Sequence, residues 1–147
     1  MIIADTSGLL ALTHTKEPLH TRVKAFVRTL HAPLVVSPMA LAEYDYLLRK
    51  HAGHRVAREA IAQLPRSRAL DIARLDAEDA QKALDIDTAY ADLGCGLTDA
   101  SLVVLAHRYE SIELLTLDER HFRAITPIGG GAFRILPADL PATQRAG

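Results

Sequence analysis

Cysteine is almost absent from this sequence: Cys95 is the only one in 147 residues. A single thiol can make neither an internal disulfide nor a cysteine-based zinc site, so a buried, inert thiol is expected. A basic excess is missing too. Seventeen Lys and Arg stand against 18 Asp and Glu, a formal net charge of −1. Nucleic-acid binders often carry a large positive balance; here any attraction to RNA or DNA must come from local basic patches and bound cations. No apolar run is long enough to span a bilayer, so no membrane association is expected. The opening "MIIADTSGLL" has no Lys or Arg before its apolar residues. That argues against an export signal and for a cytoplasmic location. No G-x-G-x-x-G follows the first apolar run, which excludes a nucleotide-binding Rossmann site. No repeat of about 20–50 residues and no linker divides the chain. One domain over 1–147 is expected, with a polar tail from about residue 138 loosely ordered.

What is present suits such a domain: 49% hydrophobic residues for a core and 24% charged residues for a surface. "MIIA", "APLVVS", "ALDIARL", "IELLTL" and "AFRIL" read as short strands, apolar or bounded by proline. Helical spacing falls between them. "TSGLLALTH" starts with Thr6 or Ser7 as cap, and its Gly8 permits close packing on the sheet. "EPLHTRVKAFVRTLH" has Pro18 suited to its first turn. "PMALAEYDYLLRKH" opens on Ser37 and Pro38 and is broken by Gly53, after which "HRVAREAIAQL" continues. "DAEDAQKALDIDTAYADL" is capped by Asp76, and "LTDASLVVLAHRY" by Thr98. "DERHFRAI" is a short helical turn. Strands alternating with helices predict a parallel α/β sheet covered on both faces.

The acids of these segments fall in a pattern. Asp5 ends the first strand and Asp118 the "IELLTL" strand. Asp99 lies in the first turn of the helix before that strand, and Glu43 about a turn and a half into the helix after the second. In open parallel sheets, ligands bind beyond the carboxyl ends of the strands, and all four acids can reach that edge. Each also has an ordinary role. Asp5 can cap a helix, Asp99 can favour a helix dipole, Asp118 can start a turn, and Glu43 can face solvent. Together they carry an electrostatic cost. Two carboxylates about 4 Å apart repel by roughly 4 kcal/mol at an effective dielectric near 20. Clustered acids therefore hold protons or a cation. Oxygen donors without cysteine or clustered histidine select hard ions, Mg²⁺ or Mn²⁺. Such an ion activates water and stabilises attack on phosphorus, so phosphodiester hydrolysis is the expected chemistry.

Four segments, "IIADTSGLLAL", "VVSPMALAEYDYLL", "GLTDASLVVLAHRY" and "LLTLDERHF", together resemble the PIN-domain nucleases. Within them they resemble the VapC-type toxins of bacterial toxin–antitoxin pairs. The ending "PIGGGAFRILP" is similar to mycobacterial and actinobacterial members, and the likeness runs over essentially the whole chain. The resemblance implies a PIN-like three-layer α/β/α sandwich around a central parallel sheet. It implies a Mg²⁺- or Mn²⁺-dependent endoribonuclease in which Asp5, Glu43, Asp99 and Asp118 are the catalytic and metal-binding acids. Thr6 and Thr116 match the hydroxyl residues beside them, with Thr6 bonded to Asp5 or to a metal-bound water. It also implies a homodimer held inactive by a cognate VapB-type antitoxin, acting on a transfer RNA or ribosomal RNA stem–loop. A catalytically silent scaffold that binds RNA or a protein is the alternative.

Other residues carry weaker signals. Asp92 is a candidate supporting acid, with a helix-end role as its plainer reading. Arg49, Lys50, Arg55 and Arg58 form a basic run that either lines an RNA path or is a solvated face. His51 and His54 have metal-site spacing without a third ligand and read as surface residues. A receiver domain would need a Lys after a late strand, and a haloacid-type phosphatase an Asp at position 7. Both are absent.

Overall fold

Strand β1 (Ile2–Ala4) lies at the centre of a five-stranded, wholly parallel sheet. Its neighbours are β2 (Leu34–Val36) on one side and β4 (Glu113–Leu115) on the other. Strand β3 (Leu70–Ile72) pairs with β2, and β5 (Arg134–Leu136) pairs with β4. The computed structural model describes residues 1–141.

Side chains alternate across the sheet, as the period of a strand requires. Ile2, Ala4, Leu34, Val36, Leu115 and Leu136 face one core. Ile3, Val35, Leu114 and Ile135 face the other. Helices cover both. The first core is closed by α1 (Thr6–Thr13), α2 (His20–Val27), α3 (Pro38–Ala52) and α4 (His54–Gln63). The second is closed by α6 (Leu97–Arg108) and α7 (Glu119–Ala124), with α5 (Ala77–Ala89) packed on α6. The result is the expected three-layer α/β/α arrangement. Burial of β1, β2 and most of β4 and β5 explains why their sequences read as apolar runs, while the edge strand β3 is largely exposed.

Gly8 is where α1 meets β4. A Cβ there would sit 2.3 Å from the Leu115 carbonyl oxygen, so only glycine lets the helix lie this close. Helices α3 and α6 are joined by buried hydroxyls: Ser37 Oγ lies 2.7 Å from Ser101 Oγ, which donates to the Thr98 carbonyl at 2.7 Å. Ser37 also caps α3, as expected, and Asp76 caps α5 through a reciprocal box with Asp79.

Three local expectations are corrected. Asp5, rather than Thr6 or Ser7, caps α1, because its carboxylate accepts both of their backbone N–H groups. Pro18 lies in a turn before α2, since the His20 N–H bonds the Glu17 carbonyl and helix begins only there. Thr98 is inside α6 rather than its cap. The helix starts at Leu97, two residues earlier than a Thr98 cap would set it, with Gly96 at the cap position and no side-chain cap. The expected loose tail is also shorter at its near end. Leu140 is 2% exposed and packs in the first core, and Asp139 accepts from the Ile135 N–H and two Arg123 nitrogens. The rest of that tail, 142–147, lies outside the described residues. Cys95 is buried and free, and burial pushes its thiol pKa up, as expected of an inert thiol. Among the described residues no helix is long and apolar enough to cross a membrane.

Candidate active site

Strand order reverses around β1, since the chain runs outward from it through β2 and β3 and returns to its other side as β4 and β5. Such a switch point opens a crevice at the carboxyl ends of the strands. Asp5 follows β1 and Asp118 follows β4, so both stand at its mouth. A cleft of about 350 Å³ opens there, lined by Asp5, Thr6, Ser7, Glu43, Asp99, Asp118 and His121 among polar residues, with Leu10, Leu47, Gly94, Gly96 and Thr98. All four acids expected from the sequence are brought together.

Asp5 is 5% exposed and held by four donors. Oδ1 accepts the Thr6 N–H at 2.6 Å, and Oδ2 accepts the Ser7 N–H at 3.4 Å. Oδ2 also accepts the Ser7 hydroxyl at 2.6 Å and the Thr116 hydroxyl at 2.8 Å. Those two hydroxyls bind the end of β4 as well: Ser7 Oγ accepts the Leu117 N–H at 2.8 Å and Thr116 Oγ1 the Asp118 N–H at 3.0 Å. Asp5 and the turn carrying Asp118 are thus locked to one another.

The Thr6 hydroxyl does not bond Asp5, one of the two partners expected for it. It donates to Glu43 Oε2 at 2.7 Å, which links the first residue of α1 to α3. Glu43 is itself exposed, and this bond orients it on the cleft wall. Asp99 sits in the first turn of α6 with only 17% of its side chain exposed. Burial, then the charge of Asp5, raises its pKa to about 6, against the opposing pull of His121. Asp118 caps α7, where its Oδ1 accepts the His121 N–H at 3.1 Å.

Sequence reasoning missed two residues. Ser7 was weighed only as a cap, yet it joins Asp5 to β4. His121 was not singled out, yet its Nδ1 lies 2.8 Å from Asp99 Oδ2 and 3.0 Å from Asp118 Oδ2. One ligand atom each from Asp99, Asp118 and His121 fall within 4.8 Å of one another, so an imidazole stands beside two of the expected acids. The Asp-x-x-His spacing across a helix start was the available signal.

The remaining candidates lie elsewhere. Asp92 is exposed on a short 3₁₀ turn (Ala91–Leu93) and does not line the cleft. Arg49 pairs with Asp45 at 2.8 Å, and Arg55 with Glu59 at 2.9 Å. His54 meets Arg49 at 3.1 Å and His51 is exposed. Of the apolar side chains of α3, Tyr44 and Leu48 are core, Leu47 lines the cleft and Tyr46 is 62% exposed.

A family model for the PIN domain matches residues 2–126. The chain belongs to the PIN-domain family. This PIN domain is 40% identical over 136 residues to Ribonuclease VapC26 of Mycobacterium tuberculosis, which is 92% of this chain and 100% of that relative. That places it among VapC-type proteins. Its fold matches the crystal structure of Mycobacterium tuberculosis VapC20, described as a sarcin–ricin loop cleaving toxin. The TM-score is 0.76 at 19% identity, covering 87% of this chain and 98% of that one. It also matches a toxin–antitoxin complex from Klebsiella pneumoniae, with a TM-score of 0.61 at 18% identity and coverage of 85% and 92%. At those identities the two structures bear on fold alone.

Proposed function

We propose that this PIN domain is the toxin of a type II toxin–antitoxin pair, an endoribonuclease that hydrolyses RNA phosphodiester bonds with Mg²⁺ or Mn²⁺. The observation that carries the reading is the gathering of Asp5, Glu43, Asp99 and Asp118 around one open cleft. The raised Asp99 carboxyl supports a cation there. Burial first, and the Asp5 charge second, disfavour its ionised form and push it to about 6, and a bound cation would offset both. Carboxylate oxygens in an open cleft fit a hard divalent ion.

Asp5, Glu43 and Asp99 would hold the ion, and Asp118 a bridging water or a second one. A bound ion supplies a water of lowered pKa and offsets charge on the phosphate. The chain's own residues do the positioning. Four donors fix Asp5 in one rotamer, the Thr6 hydroxyl aims Glu43, and Thr116 with Ser7 ties Asp118's turn to Asp5. Leu10 and Leu47 line the cleft beside the acids.

The substrate class is a structured RNA, a transfer RNA or ribosomal RNA stem–loop. The partner is a VapB-type antitoxin, a reading supported by the kinship with VapC26. An antitoxin arginine pairing with the carboxylates would compete for the ion's place. The functional unit is a homodimer, with exposed Tyr46 a candidate for the seam.

The test is cleavage of total RNA by the antitoxin-free chain with Mg²⁺, with Mn²⁺ and with EDTA. Discrete metal-dependent fragments are expected. Asp5→Asn and Asp99→Asn should each lose about a hundredfold or more in rate, the scale of charge stabilisation removed. A folded protein that neither cleaves nor binds metal by calorimetry would be a scaffold instead.

A further inference from the structure

His121 has no role in the reading above, and its surroundings give it one. It is the third residue of α7, one turn inside the helix that Asp118 caps. Side chains on a helix lean toward its N-terminus, which turns the imidazole back over Asp118 and toward Asp99. The next residue anchors it: Phe122 is 1% exposed and meets Phe133 edge-on at 6.1 Å. His121 Nδ1 lies 2.8 Å from Asp99 Oδ2, its hydrogen-bond partner, and 3.0 Å from Asp118 Oδ2, so the ring stands between the two carboxylates.

We infer that His121 is a positioning residue whose Nδ1, hydrogen-bonded to Asp99 and set beside Asp118, holds both carboxylates at the cleft in the arrangement that receives the divalent ion. The inference rests on the metal-nuclease reading. The bond to Asp99 joins α6 to α7, which the hydroxyls around Asp5 do not link. Asp99 has no other side-chain partner among the described residues. Without the imidazole its rotamer is set only by burial and repulsion, and an ion has to organise it. Partners that orient a metal's carboxylates are worth about 10–100-fold in affinity or activity.

The choice of nitrogen makes the inference testable. An asparagine amide nitrogen stands where Nδ1 does, and a glutamine amide nitrogen where Nε2 does. Mn²⁺ affinity by calorimetry, and kcat and KM on a cleaved RNA, are measured for the full chain and for His121→Asn, His121→Gln and His121→Ala. Thermal melting checks that each folds. His121→Ala and His121→Gln should weaken Mn²⁺ binding and lower kcat by about tenfold or more with KM for RNA little changed, while His121→Asn stays within about threefold of the parent. Nitrogen shifts of the imidazole in the metal-free chain at about pH 8 should show hydrogen on Nδ1, a signature that a packing role alone would not set. Three variants that bind Mn²⁺ like the parent overturn the inference, and so does a His121→Asn as impaired as His121→Ala. Glutamine rescue without asparagine rescue would overturn it too, by putting the work on Nε2. A parent chain that neither binds Mn²⁺ nor cleaves overturns the metal-nuclease reading itself, and the inference with it.

Discussion

Asp5 and Asp118 each do two things with one carboxylate. Each caps the helix that follows it, and each faces the cleft. The sequence left open whether such acids were helix punctuation or parts of a site, and the geometry lets one carboxylate cap a helix and line the cleft at once. The strand-to-helix corner that needs a cap is the corner where a parallel sheet opens. Asp99 differs. It caps nothing and lies buried among like charges, so its cost shows in its pKa of about 6. In the metal-free protein the native state therefore keeps a proton that the unfolded chain, with an ordinary carboxyl near 3.8, has released. Between about pH 4 and 6 the native state binds more protons, so its stability falls as pH rises through that window and stays lower above it. Asp99→Asn should flatten this slope, and saturating Mg²⁺ should restore stability above about pH 6. Chemical denaturation across pH, with and without the ion, reads both effects. An unchanged slope in Asp99→Asn would place the charge cost elsewhere. The acids were legible in the sequence because Asp5 and Asp118 close apolar strands, while Asp99 and Glu43 lie near the starts of apolar helices. Ser7 and His121 were not, because their worth lies in partners 110 and 22 residues away along the chain.

The elements carry the site only because α1 can lie against β4, and Gly8 is the condition for it. Gly8→Ala would drive a methyl into the Leu115 carbonyl, which belongs to the sheet and cannot move aside. A loss of about 3 kcal/mol is expected, a fall of roughly 10 °C in melting temperature, with metal affinity reduced because Thr6 and Ser7 shift with the helix. Gly129→Ala is the control, since nothing lies within 4 Å of its added Cβ and it should change stability by less than about 0.5 kcal/mol. Equal melting of the two variants would mean that α1 can slide without cost. The five strands and most of the helices could be read from apolar spacing and from caps such as Ser37 and Asp76. The ends that misled are those where backbone decided. Pro18 suits a first turn, but the chain was still turning through Glu17 to His20, and α6 begins without any side-chain cap. The close approach at Gly8 was readable as a possibility, but its partner Leu115 was not, because only the sheet order brings β4 beside β1.

At the scale of the whole molecule, a net charge of −1 and an acidic cleft are a poor attractor for a polyanion. Binding of RNA must therefore concentrate on a small basic surface, and the run from Arg49 to Arg58 at the far end of α3 from Ser37 and the start of α4 is the candidate. Its four cations are not equivalent. Arg49 is bridged to Asp45 and Arg55 to Glu59, so part of their charge is already answered. Lys50 and Arg58 are exposed and have no ion pair among the described residues. A phosphate contact releases about 0.7 to 0.9 counterion equivalents, so each cation that touches RNA adds about that much to the slope of log K against log salt. Lys50→Glu with Arg58→Glu should weaken RNA binding at low salt and flatten that slope by one or more. Arg55→Glu should do less, because the parent arginine is already paired. Metal affinity should not change in any of them, as none lines the cleft. Binding measured over a salt series with the inactive Asp5→Asn background separates affinity from cleavage. If the doubly reversed chain binds with the parent's slope, the RNA lies across another face, and the basic run is a solvated helix surface.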